Sequence, residues 1–136
     1  MKYLLDTNII SALMREKPDE NIERAFRDKG ASCVIAAPVL YELAYGLTIL
    51  PDGTRKRKLS EGLDIITKGM TILPFDRPAA QWLAIENARL RSRGLITGIL
   101  DGQIAAVTAT RGCVLVTRNV RDFEHYTALH IESWTD

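Results

Sequence analysis

Four acidic residues lie beside apolar segments, where a carboxylate is costly unless it is hydrogen-bonded, paired or bound to a cation. Asp6 directly follows the first apolar run, and Glu42 lies about one turn into a predicted helix. Asp101 lies near the start of an alanine-rich segment, and Asp122 lies just past a later apolar run. Carboxylate ligands with few histidines favour Mg²⁺ or Mn²⁺ over zinc. A carboxylate-bound Mg²⁺ that keeps several waters is an arrangement for phosphoryl transfer, so these acids are candidates for that chemistry.

Each acid also has a structural explanation when it is considered alone. Asp6 could cap the first helix, and Asp101 could stabilise a helix N-terminus through the helix dipole. Glu42 could be an ordinary solvated helix residue, and Asp122 could be a turn residue. Their positions relative to one another therefore carry the argument for a site.

Short apolar runs alternate with helical segments, which predicts an α/β fold with a parallel sheet of four to five strands and helices on both faces. The runs are nearly continuous, as expected for strands that are covered on both faces. The predicted strands are 2–5, 32–36, 70–73, 114–117 and 129–132, and the predicted helices are 9–15, 19–29, 38–50, 54–68, 77–93 and 98–111. Glycines are expected to end several of these helices. We see no repeat or linker, so residues 1–136 are expected to form one domain.

The predicted sheet places the four acids at one edge. Ligands bind outside the carboxyl ends of the strands in open parallel sheets. Asp6 and Asp122 follow strands directly or by a short loop, and Glu42 and Asp101 lie near helix starts on the same side. Carboxylates that converge in this way repel one another, and a divalent cation would offset the repulsion.

The composition excludes some classes of protein. A net charge of +1 over 136 residues is not typical of a protein that coats nucleic acid through charge alone. We see no signal peptide and no apolar stretch of about 18 residues, so we expect a cytoplasmic protein without a membrane anchor. Cys33 and Cys113 lie in apolar runs and are interpreted as buried thiols, with a zinc site shared with His125 and His130 as the alternative.

Four motifs in order resemble those of one family. They are LLDTNIIS at 4–11, VLYELAYG at 39–46, LDGQIAA at 100–106 and VTRNVRDF at 116–123. Together they resemble the PIN-domain toxins of the VapC type. The resemblance implies a PIN-like fold and cleavage of single-stranded RNA by metal-activated water. It also implies a homodimer that is inhibited by a cognate antitoxin.

The resemblance assigns roles to the acids. Asp6 and Asp101 match the principal metal ligands of the family, and Glu42 matches its third acid, which binds metal directly or through water. Many PIN domains carry an acid where this chain has Asn119, and Asp122 is the nearest acid that could replace it. The departure leaves open whether one metal or two are bound.

Polar neighbours of the acids are further candidates. Thr7, Asn8, Thr117, Asn119 and Arg118 are expected to hydrogen-bond the metal ligands or to contact phosphate. Glu42 is expected to orient or deprotonate the attacking water. The basic run 55–58 is interpreted as a solvated helix face, whereas Arg118 and Arg121 flank the site and are better candidates to contact RNA.

Other functions remain open from the sequence. One is an inactive PIN-like module that only binds another protein, although Asp6, Glu42 and Asp101 are all present. Another is a metal-dependent phosphatase, which usually needs a second acid two residues after its nucleophile, where this chain has Asn8. The predicted helices 38–50 and 54–68 carry more apolar residues than one small core needs, so we expect part of this surface to contact a second copy and an antitoxin. The sequence does not identify the RNA.

Overall fold

The apolar runs of the sequence form the strands of one parallel sheet. The computed structural model describes residues 1–135, and its five strands are arranged in the order β3-β2-β1-β4-β5. The elements are β1 (Tyr3–Leu5), α1 (Thr7–Met14), α2 (Glu20–Lys29), β2 (Cys33–Ala36), α3 (Ala37–Thr48), α4 (Thr54–Thr67), β3 (Thr71–Leu73), α5 (Arg77–Ser92), α6 (Ile99–Thr110), β4 (Val114–Val116) and β5 (His130–Glu132). Short 3₁₀ helices occupy Gly30–Ser32 and Val120–Asp122. The predicted α/β architecture with a parallel sheet is confirmed.

The helix boundaries follow from capping chemistry. The side chain of Asp19 accepts hydrogen bonds from the backbone N–H groups of Asn21 and Ile22, which caps α2. The helices α4 and α5 are followed by Gly69 and Gly94, whose φ angles of 75° and 74° lie in the left-handed region that glycine adopts without strain. These local signals explain why the predicted helices match the observed ones to within a few residues.

The core lies on both faces of the three central strands. Every residue of β2 and β4 is buried. Successive strand residues point to opposite faces of a sheet, so helices must cover both faces here. The interior is aliphatic and includes the fully buried Leu4, Ile35 and Leu115.

One expectation differs from the structure. The strand β3 was expected to be covered on both faces, but Thr71 and Ile72 are exposed because β3 is an edge strand with a neighbour on one side only. The second helix was expected to stop at Gly30, and α2 does end at Lys29 with Gly30 as its C-cap. The φ angle of Gly30 is −54°, and the chain continues into the 3₁₀ helix Gly30–Ser32 before β2 begins.

The strand order places one point of the sheet at a topological switch. The chain leaves β1 toward β2 on one side, while β4 pairs with β1 on the other side. In open parallel sheets such a point forms a crevice at the carboxyl ends of the strands. The sheet therefore opens toward a site beside the residues that follow β1 and β4. Over residues 1–135, no helix has the length and apolar character needed to cross a membrane.

Candidate active site

Asp6 joins the carboxyl ends of β1 and β4. Its backbone N–H donates to the carbonyl of Val116 at 2.9 Å, and its side chain is 5% exposed. The carboxylate Oδ1 accepts from the N–H of Thr7 at 2.8 Å, which caps α1. Oδ2 accepts from the hydroxyl of Thr117 at 2.8 Å and from the amide of Asn8 at 3.2 Å. This buried carboxylate is thus held by hydrogen-bond donors on both of its oxygens.

Thr117 is the centre of the network below Asp6. It is fully buried, and its hydroxyl oxygen accepts from the side-chain amide of Asn8 at 3.3 Å and from the backbone N–H of Asn119 at 3.0 Å. Asn8 in turn accepts from the backbone N–H of Arg118 at 3.2 Å. The predicted set around Asp6 is therefore brought together, but Arg118 and Asn119 enter these bonds through their backbone.

Glu42 lies in the second turn of α3 and is partly buried. Its Oε1 accepts from the hydroxyl of Thr7 at 2.8 Å. Because Thr7 also donates its backbone N–H to Asp6, one residue fixes both carboxylates. The sequence indicated Thr7 as a neighbour of the site, and the structure places it between two of the acids.

Asp101 lies in the first turn of α6, where the backbone N–H groups of the helix favour a negative charge. The pKa of Asp101 is raised to about 6, mainly by burial and then by the charges of Asp6, Asp122 and Glu42 in that order. Burial and the neighbouring acids together therefore outweigh the favourable position of this carboxylate at a helix N-terminus. The structural explanation of Asp101 as a residue that merely favours its helix is therefore incomplete.

The same electrostatic pattern appears at Asp6. Burial raises its pKa, the hydrogen bonds from Thr117 and Thr7 lower it, and the charges of Glu42 and Asp122 raise it. Asp122 lies exposed in the 3₁₀ helix Val120–Asp122 and yet acts on both Asp6 and Asp101. The structure thus gathers all four predicted acids at one edge of the sheet.

Comparison with known proteins places this geometry in a family. The PIN domain family model matches residues 3–129. The chain belongs to the PIN-domain family. It is 33% identical over 134 residues to ribonuclease VapC2 of Haemophilus influenzae, covering 98% of each chain. It is 32% identical over 135 residues to the tRNA(fMet)-specific endonuclease VapC of Shigella flexneri, covering 99% of each chain.

Solved structures give the same result for the fold. The toxin–antitoxin complex VapBC of Salmonella typhimurium bound to DNA contains a chain with a TM-score of 0.86 and 31% identity, with 99% of both chains covered. VapBC2 of Rickettsia felis bound to a promoter DNA fragment gives a TM-score of 0.88 at 26% identity, covering 99% of this chain and 100% of that one. The resemblance to PIN-domain toxins of the VapC type is confirmed.

The donor set of this PIN domain suits a hard divalent cation. It consists of carboxylate oxygens, and the pKa values of Asp6 and Asp101 are raised first by burial and then by the other acids, two effects that a bound cation would offset. Within the described part of the chain, no three acidic, histidine or cysteine side chains already form a closed metal cluster. The acids are therefore close enough to act on one another electrostatically, but their carboxylates would have to move closer together to coordinate one ion.

The alternative zinc site is not supported by the cysteines. Cys33 and Cys113 are both buried free thiols, as expected from the apolar runs that contain them. Burial raises the pKa of Cys33 to about 11, which disfavours the thiolate that zinc requires.

Two arginines beside the site were missed by sequence reasoning. A cleft of about 340 Å³ lies between α1, α3 and α4 and contains Thr7 and Glu42 in its wall together with Arg15 and Arg55. Arg55 belongs to the run that was interpreted as a solvated helix face, and it is indeed exposed, but it also lines this cleft. Nothing in the sequence pairs these two arginines, because only the packing of α1 against α4 brings them together.

Proposed function

We propose that this PIN-domain protein is a Mg²⁺- or Mn²⁺-dependent endoribonuclease and the toxin of a toxin–antitoxin pair. The observation that carries the proposal is the convergence of Asp6, Glu42, Asp101 and Asp122 at the switch point of the sheet, with the pKa values of Asp6 and Asp101 raised. It is supported by relatives that cover nearly the whole chain and are named ribonuclease VapC2 and tRNA(fMet)-specific endonuclease VapC.

Asp6 and Asp101 would hold the cation, with Glu42 as the third acid. When bound, a divalent cation supplies charge stabilisation to the phosphate and makes water acidic enough to be deprotonated near neutral pH. Asp6 is pre-oriented for this role, because donors from Thr7, Asn8 and Thr117 fix both of its oxygens. Asp122 is proposed to contribute negative charge in place of an acid at Asn119.

Glu42 is proposed to take a proton from the attacking water. The hydroxyl of Thr7 holds one oxygen of Glu42 at 2.8 Å, and within residues 1–135 the other oxygen accepts no side-chain hydrogen bond. In the proposed reaction the water oxygen forms a bond to phosphorus, its proton passes to Glu42, and the bond from phosphorus to the leaving ribose oxygen breaks. Arg15 and Arg55 lie in the wall of the adjoining cleft and are proposed to contact flanking phosphates.

The partners follow from the relatives and from exposed apolar residues. The similar chains from Salmonella typhimurium and Rickettsia felis are components of VapBC complexes, and we propose a cognate antitoxin and a homodimer for this chain. On α3, Tyr41 and Tyr45 are each 55% exposed, and Ile49, directly after the helix, is 65% exposed, whereas Leu43 is buried in the core. Of these residues Ile49 belongs to the predicted apolar surplus, and we propose that it contacts partners together with the two tyrosines.

The phosphatase alternative is disfavoured by Asn8. The side-chain amide of Asn8 donates to Asp6 and to Thr117. Asn8 therefore orients the carboxylate of Asp6, the proposed metal ligand, rather than acting as a second acid. The inactive-module alternative is disfavoured because the site keeps its acids and the hydrogen bonds that orient them.

The test is RNA cleavage by the purified protein. Single-stranded RNA and tRNA(fMet) are incubated with Mg²⁺, with Mn²⁺ or with EDTA, and the products are resolved on a denaturing gel. We expect cleavage with either metal, none in EDTA, and a loss of at least 100-fold in Asp101→Asn. The matched control is Asp19→Asn, because Asp19 caps α2 and Asn caps a helix about as well as Asp. Metal-independent cleavage, or full activity in Asp101→Asn, would refute the proposal.

A further inference from the structure

The hydroxyl of Tyr126 is an unpartnered polar atom next to the helix that carries Asp101. Tyr126 is 5% exposed, and over residues 1–135 its oxygen is the one buried side-chain nitrogen or oxygen without a hydrogen bond. A buried hydroxyl that makes no hydrogen bond destabilises the fold, so its presence calls for an explanation. A phenylalanine would fill the same space without this cost.

An ion pair between the buried Glu86 and the partly exposed Arg89 fixes the backbone on both sides of Tyr126. Glu86 is 5% exposed and receives two hydrogen bonds from Arg89, at 3.0 and 3.1 Å. Arg89 also donates to the carbonyl of His125 at 2.6 Å, and the backbone N–H of Thr127 donates to Glu86 at 2.7 Å. The residues immediately before and after Tyr126 are therefore both held by the α5 pair.

The ring and the hydroxyl are also constrained by packing. The ring of Tyr126 lies against that of Trp82, with centroids 5.9 Å apart. A Cβ placed on Gly102 would lie 3.3 Å from the Tyr126 hydroxyl and 3.1 Å from a methyl group of Leu83. The hydroxyl therefore lies close to the α6 backbone at Gly102, the residue that follows Asp101. This close approach is possible because Gly102 has no side chain.

Three polar side chains are candidates to accept a hydrogen bond from the hydroxyl. Burial raises the pKa of Tyr126, the side chain of Thr97 lowers it, and the charges of Asp101 and Glu86 raise it. Thr97 lies close enough to lower the pKa of Tyr126, but the two side chains do not meet the geometry of a hydrogen bond. Glu86 is already occupied by Arg89 and Thr127. Asp101 is the remaining acid, and its carboxylate would have to move toward Asp6 for the two residues to hold one cation.

We propose that Tyr126 is a positioning residue for Asp101, whose hydroxyl donates a hydrogen bond to the Asp101 carboxylate in the metal-loaded protein. The inference rests on the proposed metal-dependent function. It assigns a purpose to the unpaired hydroxyl, because the cost of burying it in the metal-free protein is offset when the ligand is fixed in place. Partners that orient metal ligands in this way typically strengthen metal binding about 10-fold or more.

The experiment measures Mn²⁺ binding without RNA. Wild type, Tyr126→Phe, Thr97→Val and Asp101→Asn are titrated with Mn²⁺ by calorimetry and melted in EDTA and in Mn²⁺. Tyr126→Phe is expected to melt at the same or a higher temperature than wild type in EDTA, because it removes an unpaired buried hydroxyl. Its affinity for Mn²⁺ is expected to fall about 10-fold. Thr97→Val is expected to bind Mn²⁺ as wild type does.

The outcomes separate the alternatives. Unchanged Mn²⁺ affinity in Tyr126→Phe would overturn the positioning role while leaving the proposed function intact, provided that Asp101→Asn still loses Mn²⁺ binding. An equal loss of affinity in Thr97→Val and Tyr126→Phe would also overturn it, since the hydroxyl would then act through Thr97 on the preceding loop. A wild type that does not bind Mn²⁺ would refute both the inference and the proposed function.

Discussion

Asp101→Asn should stabilise the metal-free protein while it destroys metal binding. The pKa of Asp101 rises from 3.8 to about 6 on folding, first through burial and then through the charges of the other acids. At about 1.36 kcal/mol per pKa unit, this rise would correspond to about 3 kcal/mol of destabilisation in a fully buried group, and solvent screening reduces it to about 2 kcal/mol because Asp101 is only partly buried. Removing the charge also gives up about 0.3–1 kcal/mol of helix-dipole stabilisation in the first turn of α6. The net gain should be about 1 kcal/mol, or roughly 3–5 °C in melting temperature.

The pH dependence provides a second check on the same residue. Above pH 6, Asp101 is ionised in both the folded and the unfolded protein, and the folded state bears the full penalty. As the pH falls toward about 4, the folded protein binds a proton before the unfolded chain does, so the penalty disappears. The difference in melting temperature between Asp101→Asn and wild type in EDTA should therefore be large at pH 7.5 and small near pH 4.5.

The assay is a set of thermal melts in EDTA and in Mn²⁺ at both pH values. Mn²⁺ should raise the melting temperature of wild type and leave that of Asp101→Asn nearly unchanged, because a ligand stabilises only the state that binds it. Asp19→Asn serves as the control, since it changes a helix-capping carboxylate that does not contribute to the shift at Asp101. A variant that is less stable than wild type in EDTA at pH 7.5 would refute the reasoning from repulsion.

Three further substitutions test other parts of the site and its support. Asp122→Asn should lower RNA cleavage at least 10-fold if Asp122 replaces the missing acid, and unchanged cleavage would show that three acids suffice. Thr117→Val should cost about 1–3 kcal/mol in a urea melt, because it leaves the buried oxygen of Asp6 without its 2.8 Å donor, and a neutral result would contradict the network. Glu86→Gln should lower the free energy of unfolding at pH 7 in a urea melt, because Arg89 loses its charged partner, and the 31% exposure of the Arg89 side chain limits the loss through solvent screening. Since Arg89 lowers the pKa of Glu86, this difference from wild type should shrink as the pH falls below about 4.5 in acid melts, and a pH-independent difference would argue against the charge pair.

The fold followed from the sequence because its signals are local. Apolar runs define the strands, and glycines or capping aspartates beside several helices mark their ends, without reference to the rest of the chain. Which strands lie at the edges is not a local property. The exposed Ile72 has the same neighbours in sequence as a buried strand residue would have, and only the order of strands in the sheet exposes it.

The acidic residues of the site were predictable from the sequence, but the contacts between them were not. The strand order then supplied what the sequence could not, namely that Thr117, which follows β4, hydrogen-bonds at 2.8 Å to Asp6, which follows β1. Tyr126 and the Glu86–Arg89 pair were missed for a related reason. An aromatic residue in a C-terminal segment is ordinarily core, and only the position of its hydroxyl against Gly102 distinguishes it from a phenylalanine.

Helix capping and metal binding were considered as alternative explanations of Asp6, and the structure shows that its two carboxylate oxygens have different partners. Oδ1 caps α1 through the N–H of Thr7, while Oδ2 receives donors from Asn8 and Thr117. An asparagine at this position could keep the cap with its one carbonyl oxygen, but its NH₂ group would then face the NH₂ group of Asn8. Asp6→Asn therefore mixes relief of repulsion with the loss of a buried acceptor, and the two effects oppose each other in stability. Within residues 1–135 the structure shows no comparable hydrogen-bond network at Asp101, so Asp101 is the residue at which the electrostatic cost of the metal-free site can be measured without that second effect.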